Sequence, residues 1–156
     1  MRNVLNYVDQ PLEDGDNVVN LNGTVKIKTK NVTDDLSFDA VVTATIAEIN
    51  AGKTLIDGIS GKKIRVVDFT ALVTGNWAVA TSVDLQDNSS SPVKIGVMLI
   101  ASLTDGAVVK PNSANVTAGA GFLADLAEGK AVRVVNVGTA GTTGTSIKFA
   151  IKYQVV

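Results

Sequence analysis

The chain of 156 residues contains neither cysteine nor histidine. The first absence excludes disulfides, iron–sulfur clusters and thiolate zinc sites. The second removes the commonest metal ligand and the commonest general base near neutral pH. Aromatics are scarce at 4%, although hydrophobic residues reach 46%. The apolar content is therefore mostly Val, Ala, Ile and Leu, a mix that packs well on half-buried pleated surfaces. Few rings are left to form a sugar-stacking platform. A surplus of one charge is also missing, with 14 basic against 15 acidic residues. Nothing draws the whole molecule to a nucleic acid. Long apolar runs are absent too: Val97-Met98-Leu99-Ile100-Ala101 falls far short of the roughly 20 residues that cross a bilayer. The N-terminus, Met1-Arg2-Asn3-Val4-Leu5-Asn6-Tyr7-Val8, lacks the apolar core of a secretory signal. The protein is expected to be made in the cytoplasm and to stay soluble.

What is present is alternation. The length suits one domain, and from Leu36 onward the hydrophobic period is two. Residues 38–49 are dense in β-branched side chains and read as a strand. Lys53-Thr54-Leu55-Ile56 is a short strand ended by Asp57-Gly58, a turn signal. A long strand follows over 64–73. The next is expected to set Trp77, Val79, Thr81, Val83 and Leu85 on one face and Ala78, Ala80, Ser82 and Asp84 on the other. After a polar loop, Val93, Ile95, Val97, Leu99 and Ala101 alternate with Lys94, Gly96, Met98 and Ile100. Residues 123–126 have room for one helical turn, and 131–137 form a strand. In the last strand Ile147, Phe149, Ile151, Tyr153 and Val155 face inward. Nowhere does a 3.6-residue stripe persist for three turns. The fold class is all-β: a jelly roll or β-sandwich of about eight antiparallel strands, since long strands with irregular connections suit Greek-key crossovers. An immunoglobulin-like sandwich is the alternative. The sandwich domain is expected over 36–156, preceded by an extended arm over 1–35 whose apolar residues are too few and scattered to bury much surface.

Candidate chemistry is thin. Gly138-Thr139-Ala140-Gly141-Thr142-Thr143-Gly144 lacks the lysine of a phosphate loop and precedes a strand, so it reads as a glycine-rich hairpin. The carboxylates that come nearest to acid–base pairs are Asp84 with Asp87, Asp34 with Asp35, and Glu128; their positions beside turns make them ordinary solvated acids. Asp14-Gly15-Asp16-Asn17 lacks the downstream bidentate glutamate of a calcium loop. Serines have no histidine partner and no nucleophile elbow occurs. No cofactor and no catalytic activity are expected. Two features suit binding. Lys26, Lys28 and Lys30 alternate with Val25, Ile27 and Thr29 and line one face of a short amphipathic strand. They either meet an acidic partner or guard an edge strand against aggregation. Trp77, Phe69, Phe149 and Tyr153 fall on core-directed faces, which leaves Tyr7 as the exposed ring.

The portion from about Ala51 to Val156 resembles small jelly-roll decoration (cement) proteins of bacteriophage capsids. The resemblance is carried by Lys53-Thr54-Leu55-Ile56 before Gly61-Lys62-Lys63-Ile64-Arg65-Val66, by the Trp-led strand, by Gly129-Lys130-Ala131-Val132-Arg133-Val134-Val135, and by the closing Tyr153-Gln154-Val155-Val156. It covers about two-thirds of the chain and is one of style, without a catalytic signature. It implies a structural virion protein on the exterior of an icosahedral head, bridging capsomers. Its implied partners are the major capsid protein and further copies of itself, as a trimer in preference to a dimer, with no direct contact to nucleic acid or membrane. The candidate contact residues are then Leu5, Tyr7 and Val8 in the arm with Lys26, Lys28 and Lys30. A tail-fibre or baseplate module that recognises a host-surface glycan is the alternative.

Overall fold

The computed structural model describes residues 37–156. The arm expected over 1–35 lies outside the described residues, as does Leu36. Among the described residues nine strands form two antiparallel sheets. Strands β1 (Ser37–Thr45), β3 (Ile64–Thr74), β6 (Val108–Val109) and β9 (Ser146–Val155) build one, in the order β1-β9-β3-β6. Strands β2 (Lys53–Ile56), β4 (Ser82–Asp87), β5 (Lys94–Leu99), β7 (Val116–Ala118) and β8 (Val132–Val137) build the other, in the order β2-β8-β4-β5-β7. Six of the eight connections between the described strands cross from one sheet to the other, and among them only β4–β5 is a hairpin between sheet neighbours. This is the jelly-roll arrangement of paired Greek keys with β7 added at one edge.

The core lies between the sheets. The four-stranded sheet contributes Ile64, Val66, Phe69, Ala71 and Val73 from β3 and Ile147, Phe149 and Ile151 from β9. Val83 and Leu85 of β4, Met98 of β5 and Val132 and Val134 of β8 answer from the other side. In β3 the buried positions change parity between Val66 and Phe69. A bulge between Val66 and Asp68 absorbs one residue, so that apolar side chains stay inside on both halves of the strand. A second bulge lies where Leu85 pairs with Gly96 and Gln86 with Lys94. Beyond it Gly96 and Met98, not Val97 and Leu99, face the core. The alternation expected for this strand is therefore reversed in phase, because one extra residue flips every later side chain.

Three further expectations are corrected. Residues 38–49 are not one strand: β1 stops at Thr45 and a short helix α1 (Ile46–Ala51) follows. Thr45 accepts from the Glu48 backbone N–H at 3.3 Å while Glu48 Oε2 accepts from the Thr45 backbone N–H at 2.8 Å. This capping box starts the helix, and Gly52 at φ 84° ends it. Residues 77–81 are not strand either. Trp77 and Ala80 are buried while Val79 is exposed with φ 77°, and Ala78 instead forms an isolated bridge with Thr142. Residues 123–126 form no helical turn; the Leu123 and Leu126 backbone N–H groups donate to the carbonyls of Val66 and Ile64, extending cover along the edge of β3.

The Glu48 carboxylate accepts from the Lys53 ammonium at 2.8 Å. That bond, then those from the backbone N–H and hydroxyl of Thr45, lower its pKa from 4.5 to about 2. A depressed folded pKa means that the cap's contribution is fully present above about pH 4.5 and is lost as pH falls towards 2. Carbon-detected NMR titration of Glu48 is expected to give a midpoint near 2, moving up in Lys53→Met. A midpoint near 4.5 in the unaltered protein contradicts the capping box.

Candidate interaction surface

Each sheet has an outer face, and period-two alternation determines which side chains it carries. On the four-stranded sheet the outer rows are defined by strand register. Ser37, Gln154 and Arg65 form one row, and Asp39, Lys152 and Asp68 the next. Val41, Ala150 and Thr70 follow, then Thr43, Lys148, Leu72 and Val108. Among the described residues, no element packs over this face. Val41 is 61% exposed, Val108 57% and Leu72 43%. The face thus carries Val41, Ala150, Leu72 and Val108 among Thr43, Thr70 and Lys148, beside a row, Asp39, Lys152 and Asp68, whose charges alternate in sign.

The outer face of the five-stranded sheet is closed differently. All six residues of β4 are buried, although Ser82, Asp84 and Gln86 point away from the core. Asp84 lies between Val135 of β8 and Val97 of β5 in the pairing register. Its Oδ1 accepts from the Ser82 hydroxyl at 2.7 Å, and the Lys94 ammonium stands 2.6 Å from its Oδ2. Asp84 is 0% exposed. Asp87 is buried as well, and its Oδ1 accepts from the Ser89 backbone N–H, the Ser89 hydroxyl and the Val93 backbone N–H, at 3.2, 2.7 and 2.9 Å. The expectation that both acids are solvated is thus overturned. On a central strand Asp84 is flanked by Val97 and Val135 and paired with Lys94, a consequence of sheet order that a local pattern does not contain. Both carboxylates serve as structural acceptors, one of an ion pair and the other of the β4–β5 turn.

Leu5, Tyr7, Val8, Lys26, Lys28 and Lys30 lie outside the described residues, as do Asp34, Asp35 and the acidic turn at 14–17. Glu128 is exposed. The glycine-rich 138–144 segment connects β8 to β9 and wraps the buried indole of Trp77. A Cβ at Gly144 would overlap that ring at 2.4 Å, so the glycine is required by close packing. Phe69 and Phe149 are buried and Tyr153 is half-buried on their strands, as alternation implied, whereas Trp77 is buried from a loop and not from the strand expected there. Sequence reasoning missed Phe38, a ring 39% exposed that stacks on Tyr153 with centroids 5.5 Å apart. Among the described residues no cluster of three metal-ligating side chains occurs, and no helix is long and apolar enough to cross a membrane.

Comparison with protein-family models, with curated proteins and with solved structures finds no match. A surface such as the outer face of the four-stranded sheet can bury apolar area and pair charges with a complementary surface.

Proposed function

We propose that this chain is a structural virion protein that binds the outer surface of an icosahedral phage head, bridging capsomers and stabilising the capsid. The observation that carries the reading is the outer face of the four-stranded sheet, over which no element among the described residues packs, with Val41, Leu72 and Val108 exposed beside alternating charges. Contiguous exposed apolar surface rimmed by polar groups is characteristic of protein–protein contact. The resemblance of residues 51–156 to capsid decoration proteins supports the same reading. In it the partners are the major capsid protein and further copies of the chain, as a homotrimer, on the capsid exterior.

The test is to mix the purified protein with phage heads that lack it, sediment them, and determine copy number, with solution mass taken from light scattering. Saturable binding at a symmetric copy number is the expected result. Leu72→Glu, on an exposed position of the face, is expected to weaken head binding by about tenfold or more, about 1.4 kcal/mol, while leaving the circular dichroism unchanged. A protein that ignores heads and binds host-surface glycan belongs instead to a tail-fibre or baseplate receptor-binding module.

A further inference from the structure

We propose that Asp57-Gly58 is a site of spontaneous covalent modification, at which the aspartate rearranges to isoaspartate through a cyclic imide, while the fold protects the same dipeptide at Asp105-Gly106. This goes beyond the capsid reading and does not depend on it.

The reaction begins when the Gly58 backbone nitrogen attacks Cγ of Asp57. The N–Cγ bond forms, the nitrogen gives up its proton, and the carboxyl group loses one oxygen as water, leaving a five-membered succinimide. Water then opens the ring at either carbonyl. Cleavage of the new N–Cγ bond restores aspartate. Cleavage of the original peptide bond leaves the main chain running through Cβ, which is isoaspartate. One water leaves and one returns, so no oxidant or cofactor is needed. Ring closure requires an unhindered nitrogen, which a following glycine supplies because it has no Cβ. It also requires the N–H and the carboxyl group to turn towards each other.

Exposure does not separate the two sites, since both aspartates and both glycines are exposed. Hydrogen bonding at the second site does. The Asp105 carboxylate accepts from the Gly75 backbone N–H at 2.7 Å, and the Asp105 N–H donates to Oδ1 of Asn76 at 2.9 Å. The Gly106 N–H, which would have to become the nucleophile, donates to the Val73 carbonyl at 3.0 Å. Both reacting groups are thus engaged, and with different partners. Asp57 stands elsewhere in the fold: it follows Ile56, the last residue of β2 paired with β8, and opens a run of exposed residues that continues to Lys63. The glycine beside it is fixed by packing, because a Cβ at Gly58 would run into the carbonyl of Gly129. The close approach of those two backbones therefore keeps the least hindered neighbour next to Asp57.

The test is to age the full chain in warm neutral buffer and follow isoaspartate by enzymatic methylation and electron-transfer fragmentation. Trypsin places Asp57 in peptide 54–62 and Asp105 in 95–130, while Asp14-Gly15 and Asn22-Gly23 fall in 3–26 and do not interfere. Isoaspartate is expected at 57 at least about tenfold faster than at 105, where two hydrogen bonds have to break before the ring can close. In urea the two sites are expected to react alike. Asp57→Glu, which would need a six-membered ring, is expected to abolish the signal in peptide 54–62. Asp57→Asn, which releases ammonia in place of water, is expected to hasten it. Equal rates at the two sites in the folded protein, or a faster reaction at 105, overturns the proposal. So does a folded protein in which Asp57 stays intact while the chain in urea reacts.

Discussion

Phe69→Ala is expected to destabilise the protein by about 3–5 kcal/mol, the range for removing a fully buried aromatic. Phe69 is 1% exposed, pairs with Ile151, and stands edge-on to Phe122 with centroids 6.2 Å apart. Its ring also occupies the space that a side chain on β5 would otherwise fill. A Cβ at Gly96 would come within 2.6 Å of the ring. Gly96→Ala alone is therefore expected to cost about 1–3 kcal/mol through overpacking. In the Phe69→Ala background the same methyl group enters the vacated space, and the two costs are expected not to add. Urea unfolding of the wild type, both single variants and the double variant measures the coupling. Strict additivity would mean that the ring and the glycine do not share one packing site.

The second large effect concerns a charge. Lys94→Met removes the partner of an aspartate that is wholly buried, and unpaired buried carboxylates are costly. Breaking a fully buried pair costs about 3–5 kcal/mol. The Lys94 side chain is 48% exposed, so water replaces part of what is lost and about 2–3 kcal/mol is expected. Asp84→Leu combined with Lys94→Met removes the charge along with its partner and is expected to recover most of the loss, since an apolar pair is at home between Val97 and Val135. Denaturant midpoints decide the matter: a double variant less stable than Lys94→Met would mean that the pair contributes through contacts other than its own charges.

Much of the fold is legible in the residues because β-sheet alternation is a local property. Residues 147–153 show it: every second side chain is apolar, and Ile147, Phe149 and Ile151 are buried. Where the reading of the residues fails, the reason is a competing local or non-local term. The capping box of Thr45 and Glu48 was visible as Thr-x-x-Glu, yet β-branched density on both sides concealed it. The phase of β5 reversed because a bulge consumes one residue, and bulges are chosen by the partner strand. The contact residues Leu5, Tyr7, Val8, Lys26, Lys28 and Lys30 lie outside the described residues, and the surface that emerged, Val41, Leu72 and Val108, comes from three strands far apart in the chain.

By itself, then, the sequence determined an all-β chain with a core of aliphatic side chains, no thiol or imidazole chemistry, and no charge surplus, because composition and period two are properties of neighbouring residues. Only the tertiary structure decided which strands share a sheet, which aspartates are solvated, and which outward face stays open. Those depend on what lies across a strand pair, and Asp84 shows why: an outward side chain at an edge meets water, whereas the same side chain on a central strand meets Val97, Val135 and Lys94.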